Sequence, residues 1–182
     1  MSIYIYILIA IIALIVLFLV IVAMQPPTFT VERSAKMSAP PQRVFAQVND
    51  FHNWDAWSPW AQLDPNCKNT FEGPPAGTGA KFAWDGNKKV GAGRMTITDS
   101  RPPELVQIKL EFLRPFAATN TTLFTFKPIG VNQTQTTWTM RGEKNFMSKL
   151  FCMFANMDKM VGGDFERGLA KIKSLTEGAT PA

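Results

Sequence analysis

One histidine, two cysteines and a thin scatter of carboxylates are what this chain offers for polar chemistry. His52 lies between Phe51 and Asn53 with no second histidine or cysteine nearby. It therefore supports neither a metal site nor a Ser-His-Asp arrangement, and a surface or capping hydrogen bond is its expected role. Cys67 and Cys152 are far apart and lack CxxC spacing, which argues against zinc and for two unreactive thiols, with pairing considered only in an oxidising compartment. Asp85, Glu111 and Asp158 are the candidate acids or bases. Asp158 draws most interest because it borders an apolar helical stripe, where desolvation would raise its pKa, although an ion pair with a nearby lysine is the commoner outcome for such a side chain. Gly77-Thr78-Gly79 and Gly91-Ala92-Gly93 match G-x-G, but each lacks the third glycine and a following helix, so phosphate cradling is not expected and sheet bulges or kinks are. No acid and base can be paired on one face. Catalytic residues stay unassigned, and neither a metal nor a cofactor is expected.

The elements that must position these residues follow from periodicity. A strand from Thr28 to Met37 leads to Ser38-Ala39-Pro40-Pro41, where Ser38 or its neighbour is expected to cap a helix carrying Val44, Phe45 and Val48. Asp50 to Trp60 is read as a short helical or turn segment with Trp54, Trp57 and Trp60 spaced by three, expected as plugs of the core. Strand-like runs follow at Lys68–Glu72, Ala80–Asp85, Val90–Asp99, Glu104–Phe112, Thr119–Lys127 and Gln133–Arg141, separated by turn residues that include Pro128-Ile129-Gly130. Val106, Ile108, Leu110 and Phe112 alternate cleanly with Gln107, Lys109 and Glu111, so one face is buried. Consecutive short strands imply a bent antiparallel sheet. From Phe146 to Leu175 apolar residues recur at three and four, which predicts a single amphipathic helix. Gly162-Gly163 within it implies a bend or a close backbone approach.

Ahead of these elements, Ile3 to Met24 carries no charge. At 1.5 Å per residue the segment is roughly 33 Å long, enough to cross a hydrocarbon core of about 30 Å. No basic residue precedes it and Ala23-Met24-Gln25-Pro26 is a poor processing site, which favours an uncleaved single-pass anchor over a signal peptide. Residues 1–27 are thus read as anchor and proline spacer, 28–177 as one α+β domain and 178–182 as a disordered tail. Arg33, Lys36 and Arg43 follow the anchor closely, which places the domain on the cytoplasmic side of a plasma or bacterial-type inner membrane. The net charge of +5 belongs to this domain, and its basic side chains are too dispersed for nucleic acid.

The order of elements, together with Ala39-Pro40-Pro41-Gln42-Arg43-Val44-Phe45, Val48-Asn49-Asp50-Phe51, Trp54-Asp55-Ala56-Trp57-Ser58-Pro59-Trp60, Gly77-Thr78-Gly79-Ala80, Gly91-Ala92-Gly93-Arg94-Met95 and Phe165-Glu166-Arg167-Gly168-Leu169, resembles the START-like, Bet v 1-like (SRPBCC, polyketide cyclase/dehydrase-like) superfamily. The likeness spans Thr28 to Glu177. It implies a helix-grip fold, in which a curved antiparallel sheet wraps a long C-terminal helix and leaves a cavity. Phe124, Phe126, Trp138 and Met140 would line that cavity from the sheet, and Met153, Met157 and Val161 from the methionine-rich helix, a residue type suited to irregular apolar guests. The expected function is membrane-tethered binding or transport of a lipid, quinone or polyketide-like compound. The alternatives are a cyclase or hydrolase using the same cavity, and an accessory subunit of a membrane protein complex.

Overall fold

The computed structural model describes residues 3–154 and 156–178, so residues 179–182 of the expected tail lie outside the described residues. The chain runs α1 (Ile3–Met24), β1 (Thr28–Met37), α2 (Pro41–Asn49), a 3-10 turn (Phe51–Ala56), β2 (Lys68–Glu72), β3 (Lys81–Asp85), β4 (Ala92–Arg101), β5 (Leu105–Arg114), β6 (Ala118–Gly130), β7 (Gln133–Glu143), α3 (Phe146–Phe154) and α4 (Met157–Glu177). The strands form one antiparallel sheet in the order β1-β7-β6-β5-β4-β3-β2. Its curvature has local causes: register shifts at Ala92/Gly93, Ile97/Asp99 and Pro128/Gly130. At Gly93 any Cβ would overlap the Trp84 ring and the Glu111 carbonyl, so only glycine lets the strands approach there. Pro128-Ile129-Gly130 does not end β6 as expected; the strand continues through it with that register shift.

α2 begins with Pro41 at its first turn, and its N-cap is Pro40, which makes no side-chain cap bond. Ser38 is therefore not the cap. Its backbone N–H instead donates to Glu177 Oε1 at 2.6 Å, tying the end of β1 to the end of α4. The residues after α2 close its open carbonyls. Asn53 Nδ2, Trp57 Nε1 and Trp54 Nε1 donate to the carbonyls of Ala46, Gln47 and Val48, and the Gly77 N–H donates to that of Asn49. The tryptophans thus fill the core with their rings and satisfy a helix end with their N–H groups.

The expected single C-terminal helix is two. Asn156 takes the N-cap of α4, its side chain accepting from the Lys159 N–H at 3.1 Å, and a residue that caps this well starts a new helix rather than continuing the old one. α4 then runs unbroken through Gly162-Gly163. The glycine pair serves close approach: a Cβ on Gly162 would overlap the Arg33 guanidinium.

Candidate functional site

Strand register sorts the inward side chains into rows. Val106, Phe124, Trp138 and Arg33 form the middle row, and Ile97, Ile108, Thr122, Met140 and Val31 lie next to it on the α1 side. The following row is Phe82, Met95, Leu110, Asn120, Gly142 and Phe29, and beyond it come Trp84, Gly93 and Phe112. Along β3 and β5 burial falls across this series, whereas Met95, Asn120 and Gly142 of the third row stay buried. Val106, Ile108 and Phe124 are fully buried, whereas Phe82, Trp84, Leu110 and Phe112 are only half-buried. The helices explain the gradient, because α4 packs along β1 and α2 lies over β5, β6 and β7. The α1-side part of β3–β5 is left partly open on its concave side.

The centre of the grip is filled with rings. Trp138 stacks on Phe165 of α4 at 3.9 Å and 7°, and on Phe124 at 4.7 Å, while Trp57 and Trp60 meet it edge-on at 5.7 and 6.0 Å. Gly168 lets the helix settle against this stack, since a Cβ there would come within 2.8 Å of Trp138 Cζ3. Trp138 is 2 % exposed, and its Nε1 is a buried donor with no hydrogen-bond partner among the described residues. Asn120 is also buried, with its Nδ2 donating to Met140 Sδ at 3.7 Å, a soft and poor acceptor.

The expected lining residues therefore divide. Phe124, Trp138 and Met140 come together on the sheet, and Val161 packs half-buried against the same core. Met157 is half-buried at the start of α4. Phe126 lies away from the open rows, edge-on to Phe45 of α2 at 5.6 Å, and Met153 is exposed on α3. Asn120, Leu110, Phe112 and Phe82 were not among the expected lining, although the period-two pattern of β5 and β6 already turned the first three inward; Phe82 lies on β3 and joins them through its pairing with Met95.

The three candidate carboxylates, Asp158, Glu111 and Asp85, are engaged in ion pairs. Arg33 donates from Nη1 and Nη2 to the Asp158 carboxylate at 2.8 and 2.9 Å and from Nε to Glu166 at 2.7 Å. These hydrogen bonds hold Asp158 below the usual carboxylate range, opposite to the expected desolvation shift, because its partner is a guanidinium rather than the apolar stripe. Glu111 accepts from Arg94 at 2.8 and 3.0 Å and pairs with Lys109, and is held down to about 2. Asp85 pairs with Arg114. Burial, then nearby carboxylates, push the Cys67 thiol up, and neither cysteine is in a disulfide. His52 lies beside a separate cleft of about 240 Å³ between the 3-10 turn and the β2–β3 hairpin. Its ring stacks on Phe71 at 4.2 Å, and Asp50 Oδ1 lies 2.7 Å from Nδ1 while accepting from the His52 backbone N–H. Among the described residues no three His, Cys, Asp or Glu side chains gather as a metal site.

A family model described as polyketide cyclase / dehydrase and lipid transport matches residues 28–177. The chain belongs to this family. Its fold is shared by protein MLL2253 from Mesorhizobium loti, at 14% identity and TM-score 0.61 over 84% of this chain and 100% of that one. It is also similar to the di-domain ARO/CYC protein BexL of the BE-7585A biosynthetic pathway, at 15% identity and TM-score 0.57, covering 89% of this chain and 54% of that one. An HSP90 activator from Plasmodium falciparum is similar at 16% identity and TM-score 0.56, over 80% of this chain and 94% of that one. At these identities the likeness is one of fold. No functionally curated relative matches the sequence.

Proposed function

We propose that this member of the polyketide cyclase / dehydrase and lipid transport family is held at a bilayer by α1 and takes an apolar molecule onto the open half of its concave face. The observation that carries this reading is the half-burial of Phe82, Trp84, Leu110 and Phe112, inward-facing apolar side chains grouped at one end of the sheet. Phe124, Trp138 and Met140 form the floor in this reading, with Met157 and Val161 at the helical side; Phe126 acts from beneath and Met153 from the rim. Covering roughly 200 Å² of apolar surface at about 25 cal/mol per Å² contributes about 5 kcal/mol before the cost of association. That suffices only for weak capture, so two further factors matter. A ligand carbonyl or hydroxyl replaces Met140 Sδ as the acceptor for Asn120, and the tether keeps the face near membrane-dissolved molecules. Arg33, Lys36 and Arg43 after α1 favour a cytoplasmic position on a plasma membrane. The test is a thermal-shift series on the full chain in nanodiscs across lipids and quinones. A rise in midpoint with one chemical class supports the reading, and a flat response across the panel opposes it.

A cyclase- or hydrolase-type reaction has one observation in its favour. Asp50 holds His52 Nδ1, which leaves Nε2 as a base beside the 240 Å³ cleft. That reading predicts that His52→Ala removes turnover of an aromatic polyketide or ester substrate while the binding reading leaves capture unchanged.

A further inference from the structure

We propose that α3 and the β5–β6 tip form a second membrane contact, lying in the headgroup layer of an anionic bilayer beside the point where α1 leaves it. This rests on the reading of α1 as an anchor. α3 has no buried residue, yet it is strongly apolar, with Met147 67% and Phe154 80% exposed. Its start is well formed: Asn145 Oδ1 accepts from the Ser148 N–H at 2.8 Å and from its hydroxyl at 2.9 Å. A helix this short is marginal alone in water, and so large an exposed apolar face marks a surface that something covers.

The position of α3 says what covers it. The helix packs on the last turn of α1, burying Val22, and Lys149 Nζ donates to the Ala23 carbonyl at 2.9 Å. The Lys144 N–H donates to the Pro27 carbonyl at 2.7 Å, which fastens the end of β7 to the spacer. α3 is thus fixed at the depth where a spanning helix passes from hydrocarbon to headgroups.

Register brings the β5–β6 tip to the same end. Phe112 pairs with Ala118 there, as Glu143 pairs with Thr28, and Thr28 can be at most about 14 Å from Met24 along an extended spacer. Leu113 and Phe116 are exposed at the tip, Phe116 to 83%. Lys88 and Lys89, in the turn joining β3 to β4, and Lys144 also lie at this end beside the exposed Glu143, whereas Asp85 is paired with Arg114 and Asp64 accepts from the Asn87 N–H. Apolar tips set among lysines fit a lipid surface that is apolar below and anionic above. Continuity with α1 favours lipid over a protein partner.

The experiment uses the full chain carrying Cys67→Ser and Cys152→Ser, with one cysteine introduced at a time as Ile12→Cys, Phe116→Cys, Phe154→Cys or Val131→Cys. Each is labelled with NBD in vesicles of phosphatidylcholine and phosphatidylglycerol. Because each variant alters one contact, the other remains to dock. The expected result is blue-shifted emission at 116 and 154, quenched by shallow spin-labelled lipids, with 131 in water and 12 quenched by deep ones. Omitting phosphatidylglycerol should weaken quenching at 116 and 154 and leave 12 unchanged. Labels at 116 and 154 that behave like 131 while 12 is deep would overturn the docking and spare the anchor. A label at 12 outside the lipid overturns both. A label at 154 that is dry but unquenched by lipid places a protein on α3, a second copy or another chain, and overturns the assignment.

Discussion

Arg33 occupies the space that a side chain on residue 162 would need. The guanidinium leaves β1 on its inward face, lies against the bare backbone of α4 and reaches both Asp158 and Glu166 from there. Gly162→Ala should displace the guanidinium and lower stability, much as Arg33→Ala does. In an Arg33→Ala background the same substitution should become stabilising by about 0.5–1 kcal/mol, the ordinary helix preference for alanine over glycine. Denaturant midpoints for the double-mutant cycle read the coupling directly.

The neighbouring glycine should behave oppositely. A Cβ on Gly163 would meet only Arg167 Nη1 at 3.8 Å, an ordinary contact. Gly163→Ala is therefore expected to raise stability by about 0.5–1 kcal/mol in the wild-type background. A loss comparable to that of Gly162→Ala, measured by the same unfolding midpoints, would contradict the role given to Arg33.

Acid sensitivity follows from Glu111. Hydrogen bonds from Arg94 and Lys109 hold its folded-state pKa at about 2 against an ordinary 4.5. Above about 4.5 the carboxylate is ionised in both states and its contribution is fully present; as pH falls toward about 2 the unfolded chain takes up a proton that the folded chain does not, so stability is lost across that window. Glu111→Gln should flatten this part of the pH–stability curve. Added salt should lessen the effect, because Arg94 is exposed.

The aromatic stack makes a graded prediction. Phe165→Ala removes a ring lying 3.9 Å from Trp138 and should cost about 3–5 kcal/mol. Trp138→Phe also removes a buried donor that has no partner among the described residues, which offsets part of the lost packing, so its cost should stay near or below about 1.5 kcal/mol. Thermal unfolding of both variants separates these outcomes.

Much of the fold was legible because it depends on local alternation. Val106, Ile108, Leu110 and Phe112 announced one inward face of β5, and Thr134, Thr136, Trp138 and Met140 the inward face of β7. How far the helices reach across those faces is a property of docking, so the pattern marked Leu110 and Phe112 as inward without showing that they are only half covered. The C-terminal stripe kept its spacing from Phe154 through Met157 to Val161 and read as one helix, while the cap made by Asn156 divides it. Gly162 signalled a close approach, but its cause, Arg33, lies far away in sequence and is brought there by β1 pairing with β7. Asp158 forms an ion pair, as its residue type suggests, but with Arg33 and not with a nearby lysine: the apolar stripe beside it is visible in the sequence and its guanidinium partner is not.

Mass spectrometry of what co-purifies with the intact chain from membranes tests the binding reading most directly, with wild type compared to a Leu110→Arg, Phe112→Arg variant that still unfolds cooperatively. The expected result is one class of apolar molecule retained by wild type and depleted at least about tenfold in the variant, a loss of about 1.4 kcal/mol or more in binding. Wild type purified empty, or both proteins carrying the same molecule in equal amount, would contradict capture on the open half of the sheet.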